Sequence, residues 1–256
     1  MSLMSRLSAD EVIITAWSGV PDPLTVEIMA AQNFDAVTLD MQHGGHHEDS
    51  VLRSIPAVMQ RGRPAIVRIP VGRFDMASRA LDFGAEAVIA PMVNSADDAR
   101  AFAGFTKYPP LGERSWGPSF ALPRTGMSMP DFLRAGNSDR AAIAMIETRA
   151  ALDALDDILA VPGIDAIFLG PSDFSIAWTN GETINATLED MMEAIADVAG
   201  RARAAGKFAG IFVMDPAFAG RFVEMGYRLL AMGTEHRLIA MGAESLLKSA
   251  KASLQA

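Results

Sequence analysis

Ala142-Ile-Ala-Met145-Ile146-Glu147, followed after a helical interval by Ala166-Ile-Phe-Leu169-Gly170-Pro171-Ser172-Asp173, is the stretch on which the fold turns. Both runs are apolar without alternation, the pattern of a strand covered on both faces. Between them Leu152, Leu155, Ile158 and Leu159 recur at helical spacing, so the unit reads strand, helix, parallel strand. The same unit repeats outward in both directions. Apolar, β-rich runs lie at 12–17, 36–39, 65–69, 87–91, 142–146, 166–169, 208–213 and 227–232. Eight alternations of strand and helix predict an α/β fold closed into a (β/α)8 TIM barrel. The 256 residues then form one domain, 1–256, a size usual for a single barrel.

The rhythm breaks once. Pro109, Pro110, Gly112, Gly117, Pro118, Pro123 and Gly126 exclude long regular elements and predict a long loop over about 108–140. A loop of that length in a compact domain serves as a lid or a subunit contact, unless it is a plain surface excursion. After the eighth run, 235–254 reads as a last helix with Leu238, Ile239, Met241, Leu246 and Leu247 as its apolar positions. That face needs a surface, either its own barrel or a neighbouring chain.

Composition narrows the function. Half of the residues are hydrophobic and 21% are charged, which suits a large core and not a disordered chain. The net charge of -9 removes the attraction to phosphate that underlies nucleic-acid affinity. With no cysteine there is no disulfide, thiolate metal site or thiol nucleophile, which fits a cytoplasmic protein. No apolar run reaches the roughly 18 residues of a membrane span.

Barrel active sites lie where strands end, so the polar residues that close apolar runs are the candidates. They are Asp40, Gln42 and His43 after the second run, Arg68 at the end of the third, Glu147 after the fifth and Asp173 after the sixth. Glu147 and Asp173 are carboxylates on adjacent strands, the ligand type for a hard divalent ion such as magnesium or manganese. The competing reading for each is a helix cap or an ion pair, with Arg149 as one nearby partner for Glu147. Gly170 to Asp173 is a tight strand-to-helix turn whose free N–H groups could hold a carboxylate. Arg68 either stabilises an anionic oxygen or sits in an ion pair at the rim.

His43, His46, His47 and Glu48 supply zinc ligand types, but Gly44 and Gly45 put them in an irregular loop. A general base at His43, with His46 and His47 facing solvent, is the other reading. The only lysines are Lys107, Lys207, Lys248 and Lys251, in helices or at the start of a strand, so a Schiff-base mechanism is excluded. No G-x-G-x-x-G follows the first strand, which leaves dinucleotide binding unsupported.

The ordered motifs Phe34-Asp35-Ala-Val-Thr-Leu-Asp40-Met-Gln42-His43, Val67-Arg68, Leu81-Asp82-Phe-Gly84, Tyr108-Pro-Pro-Leu-Gly112-Glu-Arg114, Ile146-Glu147-Thr148-Arg149 and Phe168-Leu-Gly170-Pro171-Ser172-Asp173 resemble the HpcH/HpaI family of metal-dependent pyruvate aldolases, of the 4-hydroxy-2-oxoheptanedioate aldolase type. The resemblance spans nearly the whole chain. It implies a barrel of the phosphoenolpyruvate/pyruvate-binding type and an aldehyde-lyase that forms or cleaves a hydroxy-oxo acid through a pyruvate enolate. It further implies that Glu147 and Asp173 bind magnesium, manganese or cobalt, and that the N–H groups of Ser172 and Asp173 receive the pyruvate carboxylate. In the same terms His43 is the base, Arg68 stabilises the enolate, and Asp82 raises the basicity of His43. Asp82 precedes the fourth run, at the far end of a barrel from the mouth, which speaks against contact with His43 in the same subunit; contact from a neighbouring chain is one resolution. The family pattern also implies a homo-oligomer, commonly a hexamer that exchanges a terminal helix. The chain departs from that pattern at Gln42, where a glutamate is usual, at Met145, where a glutamine contacts substrate, and at Ser115 after Arg114. A changed pocket is the consequence, and a same-fold lyase or decarboxylase of another 2-oxo acid is the nearest alternative. A non-catalytic ligand-binding protein is the more distant one.

Overall fold

The computed structural model describes residues 1–255. Eight parallel strands, β1 (Ile13–Ser18), β2 (Ala36–Asp40), β3 (Ala65–Arg68), β4 (Ala87–Ala90), β5 (Ala141–Ile146), β6 (Ala166–Leu169), β7 (Phe208–Phe212) and β8 (Leu229–Thr234), pair in sequence order. Pairing of β8 with β1, where Ile13 lies opposite Leu229, closes the barrel. All strand C-termini therefore share one rim, and the eight expected runs are all strands, displaced by at most two residues at their ends.

Side chains alternate across each strand. Ile13 and Trp17, Ile66, Ile89, Ile143 and Met145, Phe168 and Ala231 turn inward and fill the lumen, while Val37, Leu39, Val67, Val88, Ile146 and Ile167 turn outward beneath the helices. Burial on both faces is why the runs lack polar alternation. A short helix, Leu3–Ser8, capped by the Ser2 hydroxyl, plugs the far end of the lumen. Leu3 and Leu7 are fully buried in the lumenal cluster, and the Leu3 N–H donates to Glu86 at 2.7 Å. Each such leucine contributes about 1.5–3 kcal/mol by burial.

The segment expected to be a long loop contains two helices, Ala121–Thr125 and Met129–Ser138. Its breakers all lie at or before Gly126, and Ser128-Met-Pro130 is a capping hydroxyl followed by a first-turn proline, so a helix of 10 residues fits behind them. Lys107 pins the segment from within. Its ammonium is fully buried, donates to the carbonyls of Asn137 at 2.9 Å and Arg140 at 2.6 Å, and pairs with Asp165 at 2.7 Å. Because the segment joins a helix to the strand that follows, it lies at the rim opposite the strand C-termini. A lid over this chain's own mouth is thereby ruled out.

The C-terminal helix, Glu235–Ser253, starts where β8 stops and buries only Glu235 fully. Leu238 packs partly against the core, but Ile239, Leu246 and Leu247 are 70%, 75% and 58% exposed. Leu238 thus rests on its own barrel, whereas Ile239, Leu246 and Leu247 do not. No helix of the described residues is long and apolar enough to cross a membrane.

Candidate active site

At the C-terminal rim a cavity of about 540 Å³ opens onto the lumen. Met145, Phe168, Trp17 and Phe212 form an apolar floor, with the Trp17 ring 5.8 Å from Phe168 and 5.3 Å, edge to face, from Phe212. Asp40, His43, Arg68, Glu147, Ser172 and Asp173 stand above it. The strand-end rule thus brings all but one of its candidates to a single opening.

Asp40 and Arg68 are register partners on β2 and β3 with both side chains inward. Arg68 grips Asp40 through two parallel bonds, Nε to Oδ1 at 2.8 Å and Nη2 to Oδ2 at 2.6 Å. Trp17 Nε1 adds a third at 3.2 Å, and the Arg68 guanidinium lies 4.9 Å from the Trp17 ring centroid. Burial pushes the Asp40 carboxyl up, but the bonds and charge of Arg68 outweigh it and hold Asp40 below the usual carboxylate range. The two readings of Arg68 are therefore compatible: it sits in an ion pair and still faces the cavity.

Glu147 is almost fully buried and forms no ion pair among the described residues. Arg149 turns away, donating to the carbonyl of Trp178 at 2.9 Å and covering that indole. Oε1 accepts the Met92 N–H at 2.8 Å, whereas Oε2 is buried with no hydrogen-bond partner. Burial raises the Glu147 carboxyl to about 7; the Met92 bond opposes this, the Asp173 charge adds to it and Arg68 opposes it. A buried oxygen without a donor is costly unless something positive is meant to meet it. Asp173 lies in the first turn of the helix Pro171–Trp178, which has no side-chain cap. The Ser172 and Asp173 N–H groups accordingly keep no partner within the helix, and both residues line the cavity.

Several expectations need correction. His46 does not face solvent: it is 4% exposed, with Nε2 2.9 Å from Ser18 Oγ and Nδ1 3.1 Å from Ser50 Oγ. Burial holds its imidazole below the ordinary value, against the charges of Glu235 and Asp40. His47 is exposed, as expected, and its ring nitrogen caps the helix Glu48–Gln60. The histidine run is spread over three environments, and no group of three or more zinc-type ligands exists among the described residues. Asp82 is far from the mouth in this chain, since it lies in the helix Asp75–Phe83 and pairs with Arg114 at 2.7 Å. Gln42 lies outside the cavity wall: its N–H donates to Asp40 Oδ1 at 3.0 Å and its Oε1 is buried without a partner. Met145 does line the wall.

Two carboxylates at one rim, with the orphaned oxygen of Glu147 beside a helix N-terminus, fit a divalent cation and an anionic oxo acid. Residues 14–241 match the family model described as HpcH/HpaI aldolase/citrate lyase. The chain belongs to that family. A hydroxypyruvate/pyruvate aldolase of Roseovarius nubinhibens is 35% identical over 95% of this chain and 94% of its own length. A 4-hydroxy-2-oxo-heptane-1,7-dioate aldolase of Salmonella dublin is 33% identical over 94% and 90%. Among solved structures, the HpcH/HpaI aldolase from Desulfitobacterium hafniense superposes with a TM-score of 0.88 at 28% identity, covering 98% and 97% of the two chains. This HpcH/HpaI member is an aldolase, a carbon–carbon lyase of the class that depends on a divalent metal.

In this aldolase the end of the eighth strand and the first turn of the C-terminal helix add further residues to the cavity wall. Thr234, Glu235 and His236 line the cavity, and they close an apolar run as Asp40 and Glu147 do. An apolar run that stops at 232 hides them. Trp17 sits within an apolar strand run, yet it touches both Asp40 and Arg68.

Proposed function

We propose that the enzyme makes or breaks the bond between C3 of pyruvate and the carbonyl carbon of an aldehyde, with Glu147 and Asp173 holding magnesium or manganese, and cobalt as a further fit. The observation that carries this is the Glu147 Oε2 atom, buried and without a donor, at the same opening as Asp173 and two free helix N–H groups. When bound, the cation supplies a positive charge that draws electron density from a 2-oxo oxygen and acidifies the C3 protons.

The chain's own groups do the rest. The N–H groups of Ser172 and Asp173, at the positive end of their helix, bind the substrate carboxylate and fix its orientation. The floor of Trp17, Met145, Phe168 and Phe212 excludes water from the methyl side. Arg68, aligned by Asp40, presents charge toward the oxygen on which negative charge develops. His43, exposed at the rim, takes the C3 proton in the forward direction and passes it to the alkoxide formed when the enolate carbon bonds to the aldehyde; in cleavage it takes the hydroxyl proton and gives it to the enolate C3. The exposed apolar face of the C-terminal helix fits a homo-oligomer, a hexamer by the family pattern, and a neighbouring chain is then the way for Asp82 to approach His43.

Retro-aldol release of pyruvate from a hydroxy-oxo acid, assayed beside oxaloacetate decarboxylation, tests the reading. Chelation should abolish turnover and manganese should restore it. Turnover indifferent to chelator, or confined to oxaloacetate, would overturn the assignment.

A further inference from the structure

The rim holds a buried carboxylate for which the proposed chemistry has no use. Glu235, the first residue of the C-terminal helix, is 3% exposed and binds nothing on its own helix face. Its Oε1 accepts the Ser18 hydroxyl at 2.6 Å and the Val20 N–H at 3.2 Å, and its Oε2 accepts the Gly19 N–H at 2.9 Å. Because Ser18 donates to Glu235, its oxygen is left to accept from His46 Nε2 at 2.9 Å. One carboxylate therefore holds three consecutive residues at the end of β1.

Those residues in turn hold the loop that carries His43. The Gly19 carbonyl accepts the Gly45 N–H at 2.7 Å. At Gly44 a Cβ would stand 2.8 Å from Gly19 Cα and 2.5 Å from the Asp40 carbonyl oxygen, so the two backbones are in direct contact. On the other side of His43, its own N–H meets Asp40 Oδ1 at 3.3 Å. His43 is thus suspended between Asp40, fixed by Arg68, and a glycine pair fixed through Gly19 by Glu235.

We propose that Glu235 is a positioning residue for His43, acting through Ser18, Gly19 and the Gly44-Gly45 backbone; the inference rests on His43 being the base. A misplacement of about 1 Å at a reacting group costs up to about 100-fold in rate, and removing the carboxylate frees three donors at once. Glu235→Ala should lower kcat for manganese-dependent exchange of pyruvate methyl protons with deuterium by about 10- to 100-fold, with KM for pyruvate and Kd for manganese nearly unchanged. Glu235→Gln should fall between, because its amide oxygen still accepts from Ser18 while its NH2 cannot accept from Gly19. In a His43→Ala background, Glu235→Ala should add no further loss.

The His43 C2 proton resonance of the metal-free protein, assigned by its absence in His43→Ala, gives a second readout. Either Glu235 variant should shift or broaden it. Loss of equal size in both backgrounds, or loss that tracks weakened manganese binding, overturns the proposal. Should His43→Ala alone exchange at the wild-type rate, the base reading fails, and the resonance still decides positioning: a His43 signal unmoved in Glu235→Gln sinks it. Should Glu235→Ala fail to fold, Glu235→Gln carries every arm.

Discussion

Gly170 stands so close to Glu147 that a Cβ on it would lie 2.5 Å from Glu147 Oε2 and 3.0 Å from the Met145 methyl. The backbone there is ordinary, φ -94°, so alanine fits the chain and clashes only with the carboxylate and its neighbour. Gly170→Ala is expected to fold normally and to weaken manganese binding by about 10- to 100-fold, the size seen when a ligand's support is disturbed. Calorimetric titration with manganese checks this, and an unchanged Kd would mean that Glu147 is not a ligand.

Glu147 also sets a pH dependence. Its folded value of about 7 lies above the ordinary 4.5, so the unfolded chain gives up this proton first. The stabilising contribution is complete below about 4.5, shrinks as pH rises and is gone above about 7, a span worth about 3 kcal/mol as an upper limit. The metal-free protein should lose thermal stability through that window, and Glu147→Gln should flatten the loss. Manganese affinity should run the opposite way, dropping about tenfold per pH unit below 7 as the ligand protonates. Thermal melts with and without manganese across pH 4.5–8 show both.

Much of this site is legible in the amino-acid order because a barrel converts position along the chain into place. Asp40, Arg68, Glu147 and Asp173 each close or follow a run that must end at the same rim, so their meeting requires only the strand count. Lateral contacts are not legible in that way. His46 is buried by Ser18, 28 positions away, and shares that hydroxyl with Glu235, 217 positions from Ser18; no local pattern announces such partners. The helix Leu3–Ser8 escapes notice because it is short and its role as a plug depends on a lumen that exists only once the barrel closes. Met129–Ser138 is hidden for another reason: the dense proline and glycine breakers lie before it, while its own Pro130 sits in the first turn, where proline is tolerated, and Gly136 is a single interior glycine.

Arg68 and Asp40 carry a separate expectation. Arg68→Lys keeps the charge but loses the two-point fork and the guanidinium contact with the Trp17 ring, so kcat should fall with little change in fold. Asp40→Ala is more damaging, because it leaves an arginine that is only 8% exposed without its partner. A loss of about 3–5 kcal/mol is the expected order for breaking such a pair from one side. Urea denaturation of the two variants separates the cases: a small loss in Arg68→Lys beside a large one in Asp40→Ala is expected, and equal losses would show that the two-point fork, not the charge, holds the pair.

The C-terminal helix offers the last prediction. Ile239, Leu246 and Leu247 are each more than half exposed, and a run of this kind on one helix marks a contact surface. If a second copy covers it, the wild-type chain should sediment as a multimer, and Ile239→Glu combined with Leu246→Glu should drive it toward the monomer by burying charge at each contact. The metal pair lies on other elements, so manganese should still bind the dissociated variant with close to wild-type affinity. Activity need not survive: if Asp82 reaches His43 only from a neighbour, kcat falls with dissociation, and mixing Asp82→Ala with His43→Ala subunits, both with the apolar helix face intact, should restore part of the activity that each lacks alone. Sedimentation velocity showing a wild-type monomer at micromolar concentration would remove both the contact surface and the route for Asp82.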